Sequence, residues 1–183
     1  MRGEYGCAAD RRVVESRQDG VRKQMTTQDI VTALRDSCFG ERLSHEGLNR
    51  VASASKVVDF PTGHTVYREG ETAPAIYVVV DGAVSIELKL QRREVRLLTV
   101  GPGELLGWSP ILQHERLTAT ACTMSPTRAI EIDVAELLAF FDSDRRLGYD
   151  FMRATLSAMG TRLEATLLQL ADIYGLSQPT ASE

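Results

Sequence analysis

Gly103-Glu104-Leu105-Leu106, followed by Arg116-Leu117-Thr118-Ala119, is the stretch of this chain whose residue types suit binding chemistry. A small hydroxylated anion buried against a protein wall needs backbone N–H donors, a cation and an acceptor for its hydroxyls. Gly103 lets the backbone come close to such a ligand. The N–H groups of Leu105 and Leu106 are placed to face an anion, as at any exposed helix start. Glu104 supplies a carboxylate, Arg116 a cation and Thr118 a hydroxyl.

Catalysis has no comparable constellation. His45, His64 and His114 are dispersed and lack metal-ligand spacing. Glu69 and Glu71 flank a turn glycine and read as solvated. Ser109 lacks the Gly-x-Ser-x-Gly setting of a hydrolase nucleophile. No nucleophile is paired with a base, so neither an enzyme nor a metal site is expected. Trp108, the single tryptophan, has three readings: a cap on a ligand pocket, a core residue or a dimer contact.

Composition narrows the class. A chain of 183 residues with 43% hydrophobic residues can build one core with appendages. The net charge of −4 argues against broad affinity for a phosphate backbone. Cys7, Cys38 and Cys122 form no CxxC pair, so a disulfide framework is not expected and a reducing cytoplasm fits. No apolar run reaches the roughly 18 residues of a membrane span, and the charged N-terminus has no signal core.

The elements that must hold the cassette follow from pattern. Residues 1–24 read as a tail, with Met25 as an alternative start. Residues 25–56 read as helical. Thr26-Thr27-Gln28-Asp29 is a capped helix start with Ile30, Leu34 and Cys38 on one face; Ser44 opens a second helix with Leu48 and Val51 inward. Short β-prone runs follow at 57–60, 65–67, 76–80, 83–90, 95–100, 117–122 and 128–132, with turn residues between them. The Asp81-Gly82 pair predicts a tight hairpin, and strict alternation over 84–90 predicts one solvated face. Residues 57–134 are thus expected to form a β-roll carrying the cassette at 101–119. Gln91-Arg92-Arg93-Glu94-Val95-Arg96 reads as a charged hairpin tip, and Ser109-Pro110 as a helix cap with an N1 proline.

From residue 134 the period becomes helical, over 135–175 in all. A short helix at 135–141 precedes a long one at about 145–174. Met152, Leu156, Met159, Leu163, Thr166, Leu170 and Ile173 alternate spacings of four and three, an a/d seam. The seam suits packing on the chain's own roll or a two-helix dimer contact. Residues 176–183 read as a tail. The fold class expected is mainly β with flanking helices: a jelly-roll, or double-stranded β-helix, barrel plus a long C-terminal helix.

Two segments carry a family resemblance. Phe60-Pro61-Thr62-Gly63-His64-Thr65-Val66-Tyr67-Arg68-Glu69-Gly70-Glu71 and Ile76-Tyr77-Val78-Val79-Val80-Asp81-Gly82-Ala83-Val84 place turn glycines and apolar positions in the pattern of cyclic-nucleotide-binding domains of the catabolite-activator type. Over roughly residues 30–175 the element order resembles that family too.

The resemblance implies cAMP or cGMP as ligand and no other cofactor. It implies Glu104 on the ribose 2′-OH, the backbone around Gly103, Leu105 and Leu106 at the phosphate, and Thr118-Ala119 as the family's Ser/Thr-Ala pair. Thr166 falls where the family places a threonine near the adenine; the plainer alternative is a hydroxyl bonded to its own helix. One departure matters. The family's phosphate-binding arginine directly precedes the Ser/Thr-Ala pair, where this chain has Leu117, and Arg116 stands one position earlier. In extended backbone a one-residue slip turns a side chain to the opposite face. Losing such a contact costs roughly 2–5 kcal/mol.

The expected role is a non-catalytic regulatory or sensory module, a homodimer through the C-terminal helix, acting through that dimer or an unidentified protein partner. No membrane association is expected. Direct DNA binding is not expected either, because the eight residues after Gly175 are too few for a helix-turn-helix. The alternative is a degenerate domain that has lost cAMP and cGMP and serves as an interaction module or binds another small ligand.

Overall fold

Two hydroxyl caps start the fold where the sequence places them. The computed structural model describes residues 24–40, 42–90, 93–112 and 116–173; His114, residues 91–92 of the expected hairpin tip and most of the two expected tails lie outside the described residues. Helix α1 (Thr27–Arg35) begins with a reciprocal capping box: Asp29 N–H donates to Thr26 Oγ1 at 3.2 Å and Thr26 N–H to Asp29 Oδ2 at 2.8 Å. Helix α2 (His45–Ser53) is capped by Ser44, which accepts from Gly47 N at 3.1 Å. Cys38 follows the end of α1 and is half-buried.

Eight strands follow: β1 (Ser55–Phe60), β2 (Thr65–Tyr67), β3 (Ala75–Asp81), β4 (Val84–Leu90), β5 (Arg93–Val100), β6 (Leu105–Leu106), β7 (Thr120–Thr123) and β8 (Thr127–Asp133). They form two antiparallel four-stranded sheets in the orders β1-β8-β3-β6 and β2-β7-β4-β5. Gly63, Gly70 and Gly82 all have positive φ, as turns between such short strands require.

Three local expectations need correction. First, Asp81-Gly82 does not close a hairpin: β3 pairs with β8 and β6, whereas β4 pairs with β5 and β7. The turn carries the chain from one sheet to the other. It is held against the start of β8, where a Cβ on Gly82 would lie 2.6 Å from Thr127 Oγ1 and 2.7 Å from the Pro126 carbonyl oxygen. A dipeptide can specify a tight reversal without specifying which strand pairs next. Second, β4 does not alternate cleanly, since Val84 and Ser85 are both buried and the register shifts between Ile86 and Glu87. Third, β7 is shorter than the expected 117–122 run. Residues 117–119 leave the sheet, and the two-residue β6 forms within the cassette instead.

Helix α3 (Val134–Ser143) is capped by Asp133, and α4 (Arg145–Ile173) runs for 29 residues. The first half of α4 packs on the domain. Phe151 is fully buried, stacks on Phe39 at 4.4 Å between ring centroids, and meets Phe141 at 5.2 Å. Around it Leu34, Leu48, Ile76, Ile130, Ile132 and Leu137 close the main core between the helices and the first sheet. A smaller cluster joins Val79 and Leu106 of the first sheet to Val84, Val100 and Ala121 of the second.

Candidate ligand-binding site

The second sheet is lightly filled because a cavity of about 300 Å³ opens over it. That volume lies at the lower end of small-molecule pockets. Tyr67 of β2, Ile86 and Leu88 of β4, and Leu97 and Leu98 of β5 form one side. Ile86 and Leu88, two residues apart on β4, present to the same face. The other walls come from three places: Leu106, Gly107, Trp108 and Ser109 of the cassette; Leu117, Thr118 and Ala119; and Arg162 of α4.

Several residues singled out in the sequence serve other contacts. Gly103 lies against the α1–α2 connection: its carbonyl accepts from Cys38 N at 3.0 Å, and a Cβ there would be 3.3 Å from the Asp36 carbonyl oxygen. Leu105 is fully buried in the main core. Arg116 donates from Nη1 to the Gly70 carbonyl at 2.7 Å and is exposed. Backbone bonds between Leu117 and residues 70–71, both 2.8 Å, anchor the same segment. With Arg116 turned out, Leu117 turns in and is 4% exposed. Leu106, Thr118 and Ala119 do line the cavity.

Glu104 is engaged within its own turn. Its Oε2 accepts from Gly101 N at 2.6 Å, and its Oε1 lies 3.6 Å from Arg162 Nη2. Arg162 is the charged cavity residue absent from the sequence expectations, as are the strand residues Tyr67, Ile86, Leu88, Leu97 and Leu98. Its side chain is 12% exposed, its guanidinium sits 4.9 Å from the centre of the Trp108 ring, and its buried Nη2 makes no hydrogen bond. Burial disfavours its charge, and Glu104 opposes that effect. Burial likewise pushes the Cys38 thiol up to about 11, with Arg162 acting in the other direction. The Tyr67 phenol is also raised by burial. Burial therefore holds the thiol and the phenol in their ordinary neutral forms beside the arginine.

A pattern in the sequence does lead to Arg162. Leu147, Phe151, Ala154 and Thr155 are buried on α4, and the same i+3/i+4 stripe continues through residue 158 to residue 162. Arg162 is thus the polar end of the helix face that packs inward. Thr166, one turn on, donates its hydroxyl to the Arg162 carbonyl at 2.9 Å and is exposed. The a/d seam lies on a different face: Met152, Leu156, Leu163 and Leu170 are exposed, Met159 is half-buried, and Ile173 is the last described residue of the helix. Among the described residues no group of three or more His, Cys, Asp or Glu side chains could hold a metal, and no helix is long and apolar enough to cross a membrane.

Comparison with known proteins bears on this geometry. Residues 57–144 match the family model of the cyclic nucleotide-binding domain. The chain is 32% identical over 123 residues to the CRP-like cAMP-activated global transcriptional regulator of Mycobacterium tuberculosis, covering 67% of this chain and 53% of that protein. It therefore spans about half the length of that relative. Among solved structures, it is similar to the sensor domain of the transcriptional regulator DNR from Pseudomonas aeruginosa, with a TM-score of 0.58, 25% identity and coverage of 73% of this chain and 92% of that one. A cyclic nucleotide-binding domain from Methylobacillus flagellatus shares the fold, with a TM-score of 0.69, 14% identity and coverage of 85% and 86%. The sheet orders, the cavity on the second sheet and these matches agree: residues 57–144 form a cyclic nucleotide-binding domain, in a chain similar to regulators of the catabolite-activator type.

Proposed function

We propose that this chain is a non-catalytic sensory module in which α4 reads the occupancy of the roll cavity and passes it to a second copy of the chain. The observation that carries this reading is the position of Arg162. One helix supplies both the cavity's cation and, on another face, a row of exposed leucines at 156, 163, 167 and 170. A contiguous apolar row of this kind marks an interaction surface, and its a/d spacing suits a second helix of the same type. A ligand that draws Arg162 toward itself changes the seating of α4. The dimer then responds to the extent that the ligand binds its two arrangements unequally.

Kinship with a regulator named as cAMP-activated makes cAMP the first ligand to test, with cGMP beside it. Two measurements test the reading. Sedimentation should find a dimer that Leu163→Asp converts to a monomer; a wild-type monomer at high concentration removes the dimer from the account. Calorimetry with either nucleotide up to millimolar concentration tests the ligand, and saturable heat supports the cyclic-nucleotide form of the sensor.

One observation favours a second reading, the degenerate form of the domain. Leu117 occupies the wall where the family places its phosphate-binding arginine, and Arg116 is committed to the Gly70 carbonyl. In this reading the roll keeps the cavity but takes a different small molecule, and the absence of heat from both nucleotides would select it.

A further inference from the structure

We propose that the cavity binds an amphipathic monocarboxylate, an alkyl or aryl acid, with its carboxylate on Arg162 and its apolar body against Ile86, Leu88, Leu98 and Leu117. The proposal rests on the reading of the roll cavity as the ligand site and names the ligand's chemical class.

Three observations carry it. The walls are dominated by aliphatic side chains from both strands and cassette. A ligand with many hydroxyl and amino groups would strand them there, at a cost of roughly 1–3 kcal/mol for each unpaired group. An apolar body meets no such cost and gains about 25 cal/mol per Å² of surface removed from water. Second, Arg162 is the one charged side chain of the lining among the described residues, with hydroxyls from Tyr67, Ser109 and Thr118. Arg162 lines the cavity, and its Nη2 is buried without a hydrogen bond. A planar guanidinium with a free donor matches a carboxylate, which accepts two parallel N–H bonds. Third, Arg162 is not locked. Its ion pair with Glu104 is 3.6 Å long, beyond hydrogen-bond length, and Glu104 already accepts from Gly101 N. A carboxylate entering the cavity displaces only this weak contact. The cavity of about 300 Å³ has room for roughly ten groups of water size at about 30 Å³ each, which suits a short acyl chain or a phenylalkanoate.

Trp108 provides the readout, because it is the chain's single tryptophan and its ring lies 4.9 Å from the Arg162 guanidinium. The full chain is titrated with octanoate and phenylbutyrate below their aggregation limits, in parallel with octanol, phenylbutyramide, cAMP and cGMP, following Trp108 fluorescence. The expected result is a saturable change with at least one carboxylate and at least about tenfold weaker binding of its neutral analogue. Arg162→Gln, checked for an unchanged cooperative melt, should lose at least about tenfold in affinity for that carboxylate. The acid-versus-neutral comparison uses wild type only, so it stands even where the variant does not fold. Equal binding of acid and neutral analogue overturns the proposal. Tighter saturation by cAMP or cGMP overturns it too, but leaves the sensor reading intact. No response to any probe in folded protein overturns both.

Discussion

The two sheets of the roll are filled to different degrees, and the difference separates stability from function. On the first sheet, aromatic and branched side chains from four helices close a dense core in which Phe39, Phe151, Leu34 and Ile130 are sealed from water. Between the first sheet and the second, five residues no larger than leucine form a small cluster, and beside it the second sheet borders the cavity. The helices cover the first sheet and are therefore free to hold the fold without contacting a ligand. Of the four described α-helices, α4 serves both regions: Phe151 anchors it in the core, and Arg162, three turns later, reaches the cavity. Ligand chemistry can then vary on one side while the fold is maintained on the other.

Substitutions on each side test this contrast. Phe151→Ala removes the ring that joins Phe39 and Phe141 and should cost about 3–5 kcal/mol in denaturant unfolding. Leu117→Arg comes next. It places a second cation in the wall beside Arg162 and should destabilise the empty protein by roughly 1–3 kcal/mol, while the melting temperature rises with cAMP more than in wild type. An equal response in both proteins would show that the wall position does not govern nucleotide binding. Leu88→Ala trims a half-buried cavity wall and should cost less than about 1.5 kcal/mol, because the side chain already borders open space. A cost matching that of Phe151→Ala would remove the contrast between the sheets.

A pH effect belongs to the junction between the two regions. The Cys38 thiol is raised by burial from an ordinary value near 9 to about 11. The native state therefore favours the neutral thiol. The stability this contributes is fully present below about pH 9 and falls as the pH rises toward 11. Alkylation of Cys38 at pH 8, followed by peptide mass spectrometry, should be far slower in native than in urea-unfolded protein and should accelerate as the pH approaches 11. Equal native and unfolded rates at pH 8 would contradict the burial of this thiol.

Much of the architecture was legible in the sequence because it is written in local chemistry. Thr26 and Ser44 cap helices with their own side chains, and the seam from Met152 to Leu170 marks α4 through periodicity alone. Strand pairing was less legible. Asp81-Gly82 specifies a sharp turn, but the contacts of Gly82 with residues 126–127 decide that the chain crosses between sheets. The site was legible as a location and less so as a set of residues. Leu106, Thr118 and Ala119 line the cavity, while Gly103 and Leu105 pack elsewhere. Arg162 lies more than forty residues from the cassette, and only the fold of α4 across the roll brings the two together. An arginine on a polar helix face looks solvated until the inward stripe through Phe151 and Thr155 is followed to its end.

The cavity draws its cation from α4 and not from the cassette. Parallel Trp108 titrations of Arg116→Ala and Arg162→Gln, with octanoate and with cAMP, test it most directly. The account predicts that Arg116→Ala changes stability by no more than about 0.5 kcal/mol and binds whichever probe wild type binds with unchanged affinity, whereas Arg162→Gln loses that binding. Loss in Arg116→Ala with retention in Arg162→Gln would contradict it.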